Sequence, residues 1–362
     1  MTTFVNACLT TMTDSASKVE RYERIHRLNA PRMMKALAGK QNILITTHLH
    51  PDPDALAGCL GIQLLIRSQI KGVKTTVRLK GQIGGGINSA FTKIIALDYE
   101  TWDDATVGDF DAIVLLDTQP AFSNSPLPPG VVPTVVIDHH RGRGRRAVVG
   151  HSDIRIKVGA TASIVFSYFM ELNVPIPREL AATLLYAIET DLAGAAGQQG
   201  GLDTIAISSL TLLADTKRLY QMRYVDLPMS YYKAFADVVN AAQRNGTVIV
   251  SELDQVIYAE MPAVMADFLL RCEGVEWALL TAVHEGRLVF SLRTQSNEHS
   301  AGEMARKIIK GIGDAGGHLT KAGGAIPLEG KTPADIANFR KTLRRRLLRN
   351  LGVPAGRGVK LA

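Results

Sequence analysis

The chain has 362 residues, 46% hydrophobic and 21% charged, a composition that fits a globular protein and excludes a disordered or fibrous one. That length suggests two domains, and a formal net charge of +7 suits a polyanionic or phosphorylated partner as well as it suits plain solubility. No apolar run approaches the roughly 18–20 residues that span a bilayer, Met1 to Ser17 lacks the pattern of a signal peptide, and three cysteines without motif spacing point to a reducing, cytoplasmic setting rather than a disulfide framework.

Residues 1–17 carry no core pattern, and 18–39 read as a helix closed by Gly39. A buried-strand pattern at 42–47 leads into a helix over 54–68, with Asp54 as its expected N-cap. A strand at 75–79, a glycine-rich loop at 83–88 and a short helix at 89–97 follow. Two aliphatic strands end at chemically useful residues: 111–116 runs into Asp117, and 135–137 into Asp138. Strands alternating with helices predict parallel βαβ units. Helices at 160–172, 178–190 and 202–215 complete a first domain over 40–215, preceded by a tail and helix at 1–39. Residues 216–231 read as a linker. A second domain over 232–350 shows strands at 246–250, 255–258, 276–283 and 288–292, the last two joined at Glu285-Gly286, a hairpin signal. Helices at 262–271, 300–310 and after Thr332-Pro333 accompany them; Ile336, Phe339, Leu343 and Leu347 form the apolar stripe of the last. A tail covers 351–362. The fold class expected is α/β: a parallel-sheet domain, a smaller α/β domain with a mixed sheet, and an active site in the cleft between them.

Four separated clusters carry the chemistry: His48-Leu49-His50-Pro51-Asp52-Pro53-Asp54, Asp117, Asp138-His139-His140 and Asp191. Strand ends deliver side chains to the sheet edge, where open α/β folds build their sites. Carboxylates mixed with imidazoles suit divalent cations, manganese foremost, with zinc, iron and cobalt as alternatives. Asp52 and Asp54, two apart in a proline-stiffened turn, are placed to address neighbouring ions, although a capping Asp in such a turn is the bland alternative. Two histidines after an aliphatic strand do not both face a core cheaply. Asp138 could orient an imidazole. Asp117 and Asp191, each taken alone, read as turn or helix-end residues.

In this order, the clusters resemble the DHH phosphoesterase superfamily. His48, Asp52 and Asp54 match its first motif, Asp117 its second, Asp138-His139-His140 its third and Asp191 its fourth. The second domain resembles the DHH-associated C-terminal domain: Arg293 stands where a substrate-binding arginine is common, and Gly316-Gly317-His318 followed by Gly323-Gly324 resembles its glycine-rich signature. The resemblance implies that His48, Asp52 and Asp117 bind one cation and that Asp54, Asp117, His139 and Asp191 bind another, with Asp117 shared. It implies catalytic roles for Asp138 and His140, and substrate contacts at Arg293, Gly316, Gly317 and His318. The size is similar to small stand-alone members acting on short RNA, on 3′-phosphoadenosine 5′-phosphate or on linear and cyclic dinucleotides, so the expected activity is manganese-dependent hydrolysis of such phosphoesters. Leu319 and Lys321 depart from the C-terminal signature, where proline and a small residue are common, and the Thr and aromatic residue common in nucleotide-cleaving relatives are missing after Asp191.

Arg141 to Arg146 and the arginines of the last helix are basic, yet neither cluster is interleaved with aromatic residues. The competing expectations are a phosphoanhydride hydrolase of the exopolyphosphatase kind and a nucleotide- or RNA-binding sensor without turnover. The expected partner is a small nucleotide or short oligonucleotide, with no membrane and with homodimerisation open.

Overall fold

The computed structural model describes residues 29–81, 83, 87–142, 150–192, 200–258, 260–296, 298–317 and 319–362. The chain divides into two compact units, one within the part up to Val225 and one from Asp226 onward. Among the described residues no helix is long and apolar enough to cross a membrane.

A six-stranded parallel sheet organises the first unit. Its strands are β1 (Asn42–Thr47), β2 (Lys74–Leu79), β3 (Glu100–Thr101), β4 (Ala112–Leu116), β5 (Val135–Asp138) and β6 (His151–Ile154), side by side in the order β3-β2-β1-β4-β5-β6. The chain winds outward from β1 to β3, then restarts beside β1 with β4 and winds the other way. The gap between β1 and β4 is therefore the topological switch point, where the loops leaving the carboxyl ends of the strands part. Both faces of the central strands are covered, which is why they read as unbroken aliphatic runs. Ile43, Ile45, Val114, Leu116 and Ile137 enter the main core, while Leu44 and Ile113 meet a smaller cluster with Trp102 and Val107.

Helices α1 (Asn29–Ala36), α2 (Pro53–Gln69), α3 (Ile87–Ile95), α4 (Thr161–Glu171), α5 (Arg178–Leu192), α6 (Gly201–Leu213) and α7 (Thr216–Arg223) complete this unit. α1 is followed by a turn closing at Gly39, whose φ of +77° suits glycine. α2 is capped by Asp52, which accepts from the Ala55 N–H at 3.1 Å with Pro53 in the first turn, and not by Asp54 as expected. Proline at the first helical position places the cap one residue before it, and Asp54 is thereby freed for the interior.

The second unit contains α8 (Met229–Ala241), β7 (Gln243–Asn245), β8 (Val248–Gln255), α9 (Met261–Leu269), β9 (Trp277–His284), β10 (Arg287–Thr294), α10 (Ala301–Ile309), β11 (Asp314–Gly317), β12 (Lys321–Pro327), α11 (Pro333–Asn350) and β13 (Val359–Lys360). Its seven strands form one mixed sheet in the order β11-β12-β10-β9-β8-β7-β13, antiparallel except for the β8–β9 pair. The Glu285-Gly286 turn joins β9 to β10 with both residues at positive φ, 43° and 71°, as a two-residue hairpin of the primed type requires. α11 opens with a capping box of Thr332 and Asp335 and buries Leu343 and Leu347.

Two more expectations need correction, and the glycine-rich stretch adds strands to those read from the sequence. The separate strands at 246–250 and 255–258 are largely a single one, β8, with a register irregularity between Glu252 and Gln255. Its polar second half alternates exposed Glu252 and Asp254 around buried Leu253, a period of two rather than a turn. The segment 216–231 is not a bare linker: α7 buries Leu219 and Met222, and α8 begins at Met229. Two apolar residues in eight make too sparse a stripe to read as core. Finally, β11 and β12 occupy the glycine-rich stretch, with Gly316 opposite Gly323 and Gly317 opposite Ala322; glycine weakens any strand pattern because it offers no side chain to pack.

Candidate metal centre

The acids and imidazoles of the four clusters hang on ends of the first unit's strands and helices. His48 directly follows β1, Asp117 directly follows β4, Asp138 ends β5 with His139 and His140 behind it, Asp52 and Asp54 straddle the start of α2, and Asp191 lies in the last turn of α5. β1 and β4 are neighbours, so His48 and Asp117 flank the switch point itself. Asp117 takes a left-handed backbone at φ 56° while its N–H still continues the ladder to the Ile137 carbonyl at 2.8 Å. Such a conformation is sparsely populated away from glycine, though Asp tolerates it better than most residues.

The side chains converge. Asp117 receives His48 Nε2 at 3.4 Å on one oxygen, and on the other His139 Nε2 at 3.3 Å and the Thr161 hydroxyl at 2.8 Å. His139 Nε2 also lies 3.8 Å from Asp191. Potential ligand atoms of His48, Asp52 and Asp117 all fall within 4.8 Å of one another, as do those of Asp54, His139 and Asp191, and those of Asp117, His139 and His140. Asp54 is buried, and its two oxygens accept the Thr161 and Ala162 backbone N–H groups at 2.7 and 2.8 Å, at the positive end of α4.

The imidazoles are oriented as metal ligands are. His48 Nδ1 donates to the Leu49 carbonyl at 2.8 Å and His139 Nδ1 to the Val158 carbonyl at 3.2 Å. A carbonyl only accepts, so each Nδ1 carries a hydrogen, and Nε2 is the atom turned toward the carboxylates. That arrangement fixes the tautomer a ligand needs. His140 differs: its Nδ1 donates to Asp138 Oδ1 at 2.7 Å.

Asp138, expected to take a catalytic role, is fully buried. Oδ1 takes the His139 and His140 backbone N–H groups at 2.8 and 3.2 Å besides the His140 ring, and Oδ2 takes the Gln119 amide at 2.7 Å. The same Gln119 amide reaches the His140 carbonyl at 2.9 Å. The sequence reading missed Gln119 and Thr161. Gln119 follows Asp117 by two residues, so proximity was its one available signal; Thr161, at a helix start preceded by Gly159, had none that pointed to Asp54 or Asp117.

Electrostatics match a cation-holding role. Burial, then the charges of Asp117 and Asp191, pushes the Asp54 carboxyl well above its ordinary range. Burial also opposes charge on Asp117, but hydrogen bonds from His139 and His48 overcome it and hold that carboxyl well below. Burial disfavours a charged His48, yet Asp117 and Asp52 outweigh it and raise the ring to about 9. His139 and His140 are likewise raised against burial, by Asp117 with Asp191 and Asp54 in one case and by Asp138 with Asp117 in the other. Carboxylates crowded at this density repel one another, and divalent cations are the species that relieve this in a site of oxygen and imidazole donors.

The remaining expected residues lie in the second unit. Arg293, on β10, donates through Nε to Asp267 Oδ1 at 2.7 Å and through Nη1 to the Leu292 and Ala322 carbonyls at 3.3 Å. Gly316 and Gly317 sit on β11; a Cβ on Gly317 would meet the Ala322 Cα at 2.4 Å, so only glycine fits. His318, Gly84 to Gly86 and Arg143 to Arg146 lie outside the described residues.

A ligating imidazole must give up the proton on its Nε2. Because His48 holds that proton up to about 9, metal binding should strengthen from pH 7 to pH 9 and release protons on loading. Calorimetric titration of Mn2+ in buffers of differing ionisation heat reads both; an affinity flat across that range would contradict the assignment of His48 as a ligand.

Residues 42–188 match the family model described as DHH family, N-terminal domain. An uncharacterized protein of Methanocaldococcus jannaschii is 29% identical over 292 residues, which cover 80% of this chain and 59% of that protein, so the chain spans little more than half of that relative's length. Among solved structures, an exopolyphosphatase-related protein from Bacteroides fragilis superimposes with a TM-score of 0.69 at 18% identity, over 89% of this chain and 97% of its own, a likeness of fold. RecJ from Thermus thermophilus in complex with Mn2+ overlaps with a TM-score of 0.44 at 13% identity, covering 92% of this chain and 55% of that one, too little to carry an argument. The matched residues, which are similar to the N-terminal domain of the DHH family, contain the strands and turns that supply every carboxylate and imidazole of the centre but Asp191.

Proposed function

We propose that this protein is a two-metal phosphoesterase that hydrolyses small nucleotides or short oligonucleotides, with short RNA, 3′-phosphoadenosine 5′-phosphate and linear or cyclic dinucleotides as candidate substrates. The observation that carries the reading is the sharing of Asp117: one oxygen meets the His48 side of the centre and the other meets the His139 side. A carboxylate placed this way can serve two cations at once, the geometry of enzymes that attack phosphorus in line. His48, Asp52 and Asp117 would hold one ion, and Asp54, Asp117, His139 and Asp191 the other. Divalent cations, with Mn2+ as the proposed ion, would supply Lewis-acid stabilisation of phosphate charge and a nucleophile at neutral pH.

The chain's own residues do the rest. The Leu49 and Val158 carbonyls hold the His48 and His139 rings so that Nε2 faces Asp117, where it could bind a cation. Asp138 fixes the hydrogen of His140 on Nδ1, so Nε2 is the nitrogen left to meet a phosphate oxygen or the leaving group. Asp138 and Asp117 raise the His140 ring against its burial, which favours the protonated, donating form near neutrality. Gln119 keeps Asp138 in place. In the second unit we assign Arg293, Gly316, Gly317 and His318 to substrate binding, as in a DHH-associated domain. Hydrolysis of polyphosphate, a phosphoanhydride reaction, is the second reading; the fold shared with an exopolyphosphatase-related protein favours keeping it in the test.

Release of nitrophenol from bis(p-nitrophenyl) phosphate, followed by a panel of short RNA, 3′-phosphoadenosine 5′-phosphate, cyclic dinucleotides and polyphosphate with Mn2+, decides among these. Asp117→Asn should lower kcat/KM by on the order of 10³-fold or more, since both ions lean on that residue; near-normal turnover would refute the shared-ligand arrangement. Gln119→Leu should cost roughly 10- to 100-fold in kcat, the usual penalty for removing an outer hydrogen bond at such a centre, and a variant indistinguishable from the parent would remove Gln119 from the account.

A further inference from the structure

Helix α7 packs Leu219 and Met222 inward, leaves Arg218 half-buried and turns the rest of its surface to solvent. Lys217, Tyr220, Gln221 and Tyr224, at spacings of three, four and seven, form one exposed stripe. The helix sequence, Thr-Lys-Arg-Leu-Tyr-Gln-Met-Arg, has bases at Lys217, Arg218 and Arg223 and no acid. Tyr220 and Tyr224 are 63% and 68% exposed, and their rings lie together with centroids 4.7 Å apart and planes inclined by 34°. Neighbouring phenol rings held at the surface among cations are out of place on a face shaped for solubility alone.

The location adds to this. Arg223 forks onto Glu189, with Nε at 3.1 Å from one carboxylate oxygen and Nη2 on the other. Glu189 precedes Asp191 by two residues in the last turns of α5, a rise of about 3 Å along the helix axis. α7 therefore lies along α5: its start is held where the Asp215 N–H meets the Arg178 carbonyl at 3.0 Å, and its end at Glu189, in the last turns that carry Asp191.

We propose that Tyr220 and Tyr224, with Lys217 and Arg218, form a stacking platform for single-stranded nucleic acid, engaging the bases of an oligonucleotide beyond the scissile phosphate. The proposal rests on the phosphoesterase reading of the centre and narrows its substrate class. Aromatic faces stack on any base, and neighbouring cations neutralise the phosphates between bases. A second copy of the chain fits the stripe poorly. A two-fold interface would set this basic helix face against the same face of another copy, and the helix offers no acid to pair with its cations.

The test uses the full chain. Fluorescence anisotropy with a labelled RNA pentanucleotide in EDTA measures binding without turnover; kcat/KM with Mn2+ is then compared between the pentanucleotide and a dinucleotide. The pair Tyr220→Ala with Tyr224→Ala should weaken pentanucleotide binding roughly tenfold or more and lower the ratio of the two kcat/KM values to match. The pair Tyr220→Phe with Tyr224→Phe should restore both, because stacking needs the ring and not the hydroxyl. An alanine pair that binds the pentanucleotide as tightly as the parent overturns the platform. So does one that binds RNA normally but converts a dimer to a monomer by light scattering, which would mark the stripe as a protein interface. The phosphoesterase reading fails separately, if the parent shows no metal-dependent hydrolysis of bis(p-nitrophenyl) phosphate; the EDTA binding measurement then still decides on the platform.

Discussion

Crowding of like charge around Asp117 is the constraint on which the centre depends. Asp52, Asp54, Asp117 and Asp191 reach a few ångströms of common space together with His48 and His139. Left to themselves, buried carboxylates at such spacing raise one another's affinity for protons, as Asp54 shows. The fold tolerates this through fixed donors: the Thr161 and Ala162 N–H groups on Asp54, and the Thr161 hydroxyl with the His48 and His139 rings on Asp117. The fixed donors hold side chains that could bind cations, which would reduce the reorganisation that binding demands.

The topology explains why six residues spread from His48 to Asp191 meet at all. In the order β3-β2-β1-β4-β5-β6 the crossover direction reverses between β1 and β4, so their carboxyl-end loops diverge and leave a crevice. His48 and Asp117 line that gap, and β5 adds the His139–His140 pair from the next position. A second layer fixes these loops to each other. Gln119, on the loop after β4, is bound to Asp138 at the end of β5 and to the His140 carbonyl. The two loops that carry Asp117 and the imidazoles are therefore tied to each other through Gln119.

Much of this was legible from the amino-acid sequence because it is encoded locally. Aliphatic runs ending at Asp117 and Asp138 announce both the strands and the side chains they deliver, and the type of residue at His48, Asp52, Asp54, His139 and Asp191 names the chemistry. What escaped was encoded across the chain. Pro53 sets the α2 cap at Asp52, but the use of the freed Asp54 is not local: its carboxylate is bound by the start of α4, more than a hundred residues away in sequence. Gln119 and Thr161 have no signature of their own, since their roles exist only once β4, β5 and α4 are packed. The paired strands β11 and β12 were hidden by glycines, whose strand character comes from backbone pairing and close approach rather than from side-chain pattern. α7 was hidden by brevity, and with it the surface tyrosines.

The central claim is that Asp117 is shared between two cations, and locating those ions tests it most directly. Anomalous diffraction from crystals grown with Mn2+ should show two peaks per chain, both in contact with Asp117, one also touching His48 and the other His139. A single peak, or two peaks of which only one touches Asp117, would contradict the account.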